Sequence, residues 1–150
     1  MVVLYLTSRR QRGYAVRVRD AMTEEVLTIT PGRSLREAAR FMCDHNVGAV
    51  VIIDPEEPGP GIVTERDVVR SLGHGEDPDR ELVKDHLTAR ATFADAEWDL
   101  EKAADAMAKG GFRHLVVVEG GEVQGIISMR DIIHVWRPSA RGAAAPAAGA

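Results

Sequence analysis

The chain has 150 residues, 45% hydrophobic and 28% charged, which fits one ordinary domain or two very small ones; with aromatics at 5%, the core must be aliphatic. A net charge of −4 gives no general attraction to nucleic acid or anionic membranes, and no apolar run approaches the roughly 20 residues that span a bilayer. The single cysteine, Cys43, excludes an intrachain disulfide and fits a reducing cytoplasm, the expected location.

Residues 1–15 read as an N-terminal arm. Within it, Val2 to Leu6 is either an added edge strand or the product of a misassigned start, and Arg9, Arg10 and Arg12 form a short basic run. A first unit, 16–73, follows as strand, helix, strand, strand, helix. Leu27 to Thr30 is its short first strand, and Pro31-Gly32 ends it. Ser34 with Glu37 makes a capping box, and Leu35, Ala38, Ala39 and Met42 mark one apolar helix face. Ala49 to Ile53 is a continuous apolar run suited to a strand buried on both faces. A Pro-rich loop leads to a third strand from Gly61, and the last helix starts at Thr64 and carries Val68, Val69 and Leu72. A polar linker, 74–81, joins this unit to a second, 82–137. Residues 138–150 are Ala, Gly and Pro with little else, and are predicted to be a disordered tail.

The second unit copies the first. At a shift of 65, Val18-Arg19-Asp20 aligns with Val83-Lys84-Asp85, and Leu35, Ala38, Ala39 and Met42 align with Leu100, Ala103, Ala104 and Met107. After the loss of one residue in a loop, Gly61-Ile62-Val63-Thr64-Glu65-Arg66-Asp67 aligns with Gly125-Ile126-Ile127-Ser128-Met129-Arg130-Asp131. Phe93 to Asp95 is the copied first strand, Asp99 takes the cap position with Lys102 in place of the glutamate, and Gly120-Gly121 is a hairpin signal. The last helix starts at Ser128 and carries Ile132, Ile133 and Trp136. A unit of about 55 residues buries too little surface to be comfortable alone. The expected α/β (α+β) architecture is therefore two β-α-β-β-α units packed sheet to sheet with pseudo-twofold symmetry, leaving clefts where small ligands bind.

The ordered set Arg19-Asp20-Ala21-Met22-Thr23, a helix, Gly48-Ala49-Val50-Val51 and Gly61-Ile62-Val63-Thr64-x-x-Asp67, present twice over residues 16 to 137, resembles a tandem pair of cystathionine-beta-synthase (CBS) domains, a Bateman module. The resemblance implies two candidate adenosine sites, frequent dimerisation, and regulation of a separate effector protein. It implies that Asp67 and Asp131 hold ribose hydroxyls and that Thr64 and Ser128 contact ribose or phosphate. Val26 and Leu27, and Ala91 and Thr92, would line the adenine, with Ile62 or Ile126 packing on the base. Arg113-His114-Leu115-Val116 resembles the His-Arg-Leu-Val pattern of the regulatory subunit of the AMP-activated kinase, with the two basic residues reversed. The first unit has Gly48-Ala49 there, so the two sites are expected to differ.

The residue chemistry supports these types. A carboxylate can accept both hydrogens of a vicinal diol, and phosphates favour helix starts with nearby cations, which makes Arg66 and Arg130 candidates. Thr64-x-x-Asp67 and Ser128-x-x-Asp131 are also capping boxes, Arg66 and Arg130 also suit a solvated helix face, and Arg113 and His114 also suit ion pairing. Met22, Met42 and Met107 read as core, and Cys43 as a small core or boundary residue. The histidines show no ligand spacing, and no phosphate loop, dinucleotide fingerprint or nucleophile elbow occurs. The expectation is a non-enzymatic sensor of AMP, ADP or ATP, or of NAD or S-adenosylmethionine. It would form a homodimer with no metal, no covalent cofactor, and no nucleic-acid or membrane partner. A ligand-independent dimerising adaptor with vestigial clefts is the alternative.

Overall fold

The computed structural model describes residues 15–87 and 93–136. Ala91 and Thr92, the arm up to residue 14 and the tail 138–150 lie outside the described residues. Each half builds a three-stranded sheet. In the first, β1 (Thr28–Ile29) runs parallel to β2 (Ala49–Ile52), which pairs antiparallel with β3 (Gly61–Thr64). In the second, β4 (Phe93–Ala94), β5 (His114–Glu119) and β6 (Glu122–Ser128) repeat that order. The helices are α1 (Leu35–His45), α2 (Glu65–Gly73), α3 (Leu100–Gly110) and α4 (Met129–Trp136). The Gly120-Gly121 turn lets β5 and β6 extend into a longer hairpin than their Pro-rich counterparts.

The apolar runs are buried on both faces, with alternate residues serving different layers. Val50 and Ile52 pack with Leu35, Ala38 and Met42 of α1, and Leu115 and Val117 pack with Leu100, Ala103 and Met107 of α3. The residues in between face the other sheet: Ala49, Val51, Ile62 and Val116 form a shared core with Val26, Val118, Val123 and Ile126. This is the sheet-to-sheet packing the repeat predicts.

The two halves also exchange their lead-in segments. The 3-10 turn Val18–Asp20 opens the first repeat, but Val18 sits in the helix-side core of the second; Val83, in the matching turn Val83–His86, sits in that of the first. Among the described residues, three backbone bonds between a lead-in segment and the other half recur at the repeat shift. Val18 N–H donates to Trp98 O (2.8 Å) as Val83 N–H does to Arg33 O (2.8 Å). Arg19 N–H donates to Ala96 O as Lys84 N–H does to Pro31 O, and Leu100 N–H to Val16 O as Leu35 N–H does to Glu81 O. The last pair satisfies an orphan donor in the first turn of each helix. Ser34 and Glu37 complete their capping box. Asp99 occupies its cap position without a side-chain bond, and Lys102 instead sits 3.8 Å over the Trp98 ring.

One reading needs correction, and the structure assigns two helix faces that the sequence left open. Cys43 is exposed, because it lies one residue beyond Met42 and about 100° around the helix from the buried stripe. In α2 and α4 the core faces are Val68 and Ser71, and Ile132 and Val135. Val69 (67% exposed), Leu72, Ile133 (52% exposed) and Trp136 form stripes turned outward.

Candidate functional site

Each third strand ends at a hydroxyl residue that starts the last helix, so Thr64 and Ser128 stand where extended backbone turns helical. Asp67 Oδ2 accepts from the Thr64 N–H (2.8 Å) and hydroxyl (2.6 Å). Asp131 Oδ2 does the same for Ser128 (2.7 and 2.6 Å), and the Asp131 N–H donates back to Ser128 Oγ at 3.3 Å. The capping reading is therefore present in both halves. It consumes one carboxylate oxygen and leaves the other.

What surrounds that second oxygen differs. Asp67 is buried at 7% exposure, with Oδ1 3.7 Å from the Arg70 guanidinium. Asp131 is half-buried, and among the described residues nothing donates to its Oδ1. The Asp67 carboxylate is thus withdrawn from solvent, whereas the second oxygen of Asp131 stays accessible. Ile62 and Ile126 both belong to the core between the sheets, but Ile62 is buried and Ile126 partly exposed.

The basic pair stands beside Asp131 because of strand register. His114 is the cross-strand partner of Ser128, as Ala49 is of Thr64. The Arg113 carbonyl accepts the Met129 N–H (2.9 Å), as Gly48 O accepts from Glu65 (3.1 Å). Burial holds the His114 imidazole below its ordinary value of 6.5, and Arg113 adds to the shift. Asp131 and Glu65 pull the other way, and Arg130 opposes them. Arg113, Arg130, Asp131 and Glu65 are thus all within electrostatic reach of His114. A Cβ at Gly48 would lie 3.1 Å from Glu65 Oε2 and in ordinary contact, 3.5 Å, with His114 Cε1, so this glycine gives room chiefly to the Glu65 carboxylate and brings His114 to the edge of the first half. On the first side the equivalent of Met129 is the acidic Glu65, and Arg66 is committed to the Gly111 carbonyl (2.5 Å).

The first repeat also reaches β6, the strand that leads to Ser128 and Asp131. Thr23 pairs with Ile126 through both backbone bonds (2.9 and 3.0 Å), so the segment leading to β1 runs along β6 just ahead of Ser128. Val26, farther along that segment, packs with Ile126 between the sheets; Leu27 turns its side chain into the α1 core and keeps its carbonyl on Val51. Gly125 makes the approach possible: a Cβ there would lie 2.8 Å from the Thr23 carbonyl oxygen. Thr23 and Gly125 were not among the predicted site residues, although both recur in the repeat.

Comparison with known proteins places this geometry. The family model of the CBS domain matches residues 18–74 and 83–137. An uncharacterized 17.7 kDa protein of Acidianus ambivalens is 34% identical over 79% of the chain and 71% of its own length; two further archaeal relatives are matched over 63% and 41% of theirs. A solved CBS-domain containing protein from Agrobacterium tumefaciens superposes with a TM-score of 0.75 at 32% identity, over 83% of this chain and 96% of that one. A CBS domain protein from Pyrobaculum aerophilum, solved in complex with AMP, shares the fold at 24% identity (TM-score 0.70, covering 77% and 89%). With the duplicated sheets, the exchanged lead-in turns and two separate family matches, the chain belongs to the CBS domain family and carries two such domains in tandem.

Proposed function

We propose that this CBS pair is a regulatory module that binds an adenosyl ligand, AMP, ADP or ATP before NAD or S-adenosylmethionine, in the cleft at Asp131, and acts on a separate effector protein. One observation carries the reading. The Asp131 carboxylate keeps an oxygen without a donor among the described residues, while His114, which feels the charges of Arg113 and Arg130, pairs across the strands with Ser128, the residue Asp131 caps. A free carboxylate oxygen suits ribose hydroxyls, the cations suit phosphate, and Val26 with Ile126 offers an apolar surface to a base. The AMP held by the Pyrobaculum protein supports the ligand class at the level of fold.

The cleft at Asp67 is read differently. Its carboxylate is buried beside Arg70, and Gly48 stands where the other half has Arg113, so this half serves packing, as the adaptor alternative holds for the whole module. The outward apolar stripes of α2 and α4 are the proposed homodimer face.

A thermal-shift panel of AMP, ADP, ATP, NAD and S-adenosylmethionine tests the ligand. At a hundredfold excess over its dissociation constant, a ligand stabilises the fold by about 2.7 kcal/mol, on the order of 8 °C for a chain this size. If no adenosyl compound moves the midpoint, the adaptor reading stands. ATP with magnesium should be recovered unchanged; product formation would make the protein an enzyme.

A further inference from the structure

The junction between the halves holds a side-chain set that nucleotide binding does not use. Glu76, Glu81 and His86 converge at the start of the second repeat, each half-buried, with one potential ligand atom apiece and all three atoms within 4.8 Å of one another. His86 Nε2 lies 2.7 Å from Glu81 Oε2 and 3.8 Å from Glu76 Oε2. Among the described residues no lysine or arginine pairs with either glutamate, so two carboxylates crowd one imidazole nitrogen, which carries at most one proton.

The surrounding backbone holds the set in place. The hydroxyl of Ser71, only 1% exposed on α2, donates to Glu76 Oε2 at 2.6 Å, and the Glu76 N–H returns to Ser71 O. The Glu81 carbonyl is fixed by Leu35 N–H, and Lys84 N–H, two residues before His86, is tied to Pro31 O.

The duplication supplies an internal control. At the repeat shift, Glu81 corresponds to Val16, His86 to Ala21 and Ser71 to Val135, and all three counterparts pack as apolar side chains against the second half's core. The same scaffold position is closed with carbon in one half. The polar set in the other half is not something the fold requires.

We propose that Glu76, Glu81 and His86 bind one divalent transition-metal ion, zinc before manganese, and that the ion clamps the linker to α2 and to the turn carrying Val83. One imidazole with two carboxylates is a nitrogen–oxygen set of intermediate softness, which suits zinc better than magnesium or calcium. Donors about 2.0–2.2 Å from zinc stand roughly 3.3–3.6 Å apart around a tetrahedron, and the two measured separations from Nε2 bracket that span. The bound form needs Nε2 deprotonated, and Ser71 becomes the outer partner that orients Glu76.

The test is calorimetric titration of the chelator-stripped full chain with zinc chloride. One ion per chain should bind, and the melting midpoint should rise with it. His86→Ala, and separately the isosteric pair Glu76→Gln with Glu81→Gln, should weaken binding at least a hundredfold, while Cys43→Ser with His45→Ala should leave it unchanged. The double glutamine variant serves if His86→Ala does not fold. The absence of stoichiometric binding, or wild-type binding by the glutamine variant, overturns the site; neither result bears on nucleotide binding at Asp131.

Discussion

Asp131→Asn separates binding from capping more cleanly than removal of the side chain. The Ser128 N–H and hydroxyl both donate to Oδ2, so the variant's amide must present its oxygen there to keep the cap. That orientation turns the NH2 group to where Oδ1 was, and an NH2 cannot accept the hydroxyl hydrogens of a ribose. Two hydrogen bonds to a charged acceptor are lost, each contributing about 1.5 kcal/mol at the lower end of its range, for a total of about 3 kcal/mol. That corresponds to roughly a hundredfold weaker binding. Because the cap persists, the unliganded protein should lose less than about 1 kcal/mol of stability. Titration calorimetry with AMP and differential scanning calorimetry on the same samples measure the two quantities. Asp67→Asn should change affinity by less than about threefold, because that carboxylate faces Arg70. The reasoning is refuted if Asp131→Asn binds AMP like the wild type, or if affinity and stability fall together.

Other consequences follow from the same contacts. Because His114 is held below 6.5 in the folded chain, the unfolded chain takes up its proton first. Its contribution to stability is thus intact above about pH 6.5 and lost as pH falls through the depressed folded value. A phosphate beside His114 favours the imidazolium, so binding near pH 6 should take up a proton; calorimetry in buffers of differing ionisation enthalpy reads this, and His114→Asn should abolish it. Gly125→Ala drives a Cβ toward the Thr23 carbonyl and should cost about 1–3 kcal/mol in denaturant unfolding, with weaker nucleotide binding. Val18→Ala should destabilise the second half's core by about 2 kcal/mol, and exchange protection should fall first in α3, although Val18 lies at the start of the first repeat. If the outward stripes form the proposed homodimer face, Leu72→Glu with Trp136→Glu should give a monomer in light scattering, with a melting midpoint that no longer rises with protein concentration.

Much of this architecture was legible because duplication prints it twice. The alternating burial of Val50 to Ile52 and Leu115 to Val118 follows from continuous apolar runs, and the box at Ser34 from its Glu37. The exchange of lead-in segments was not legible, since Val18 and Val83 look alike at their repeat positions and only distant backbone partners assign each to the other half. The inner face of the last helices was not legible where two stripes compete: Val69 and Leu72 are as apolar as the Val68 side, yet Ser71 marks the inner face. At the site, the contrast of Gly48 with Arg113-His114 was plain in the sequence. The commitment of Arg66 to Gly111 O was not, because it crosses 45 residues. The set at Glu76, Glu81 and His86 was not legible because it recurs every fifth residue, a spacing of neither helix nor strand, with the glutamates in the polar linker and the histidine in the unit that follows.

The central claim is that a nucleoside sits in the cleft between the first repeat's lead-in segment and Asp131. A crystal structure of the protein grown with millimolar AMP tests it most directly. The account predicts ribose hydroxyls on Asp131 Oδ1, phosphate toward Arg113 and Arg130, and the base against Val26 and Ile126. AMP ordered elsewhere, or an empty cleft at saturating ligand, would contradict it.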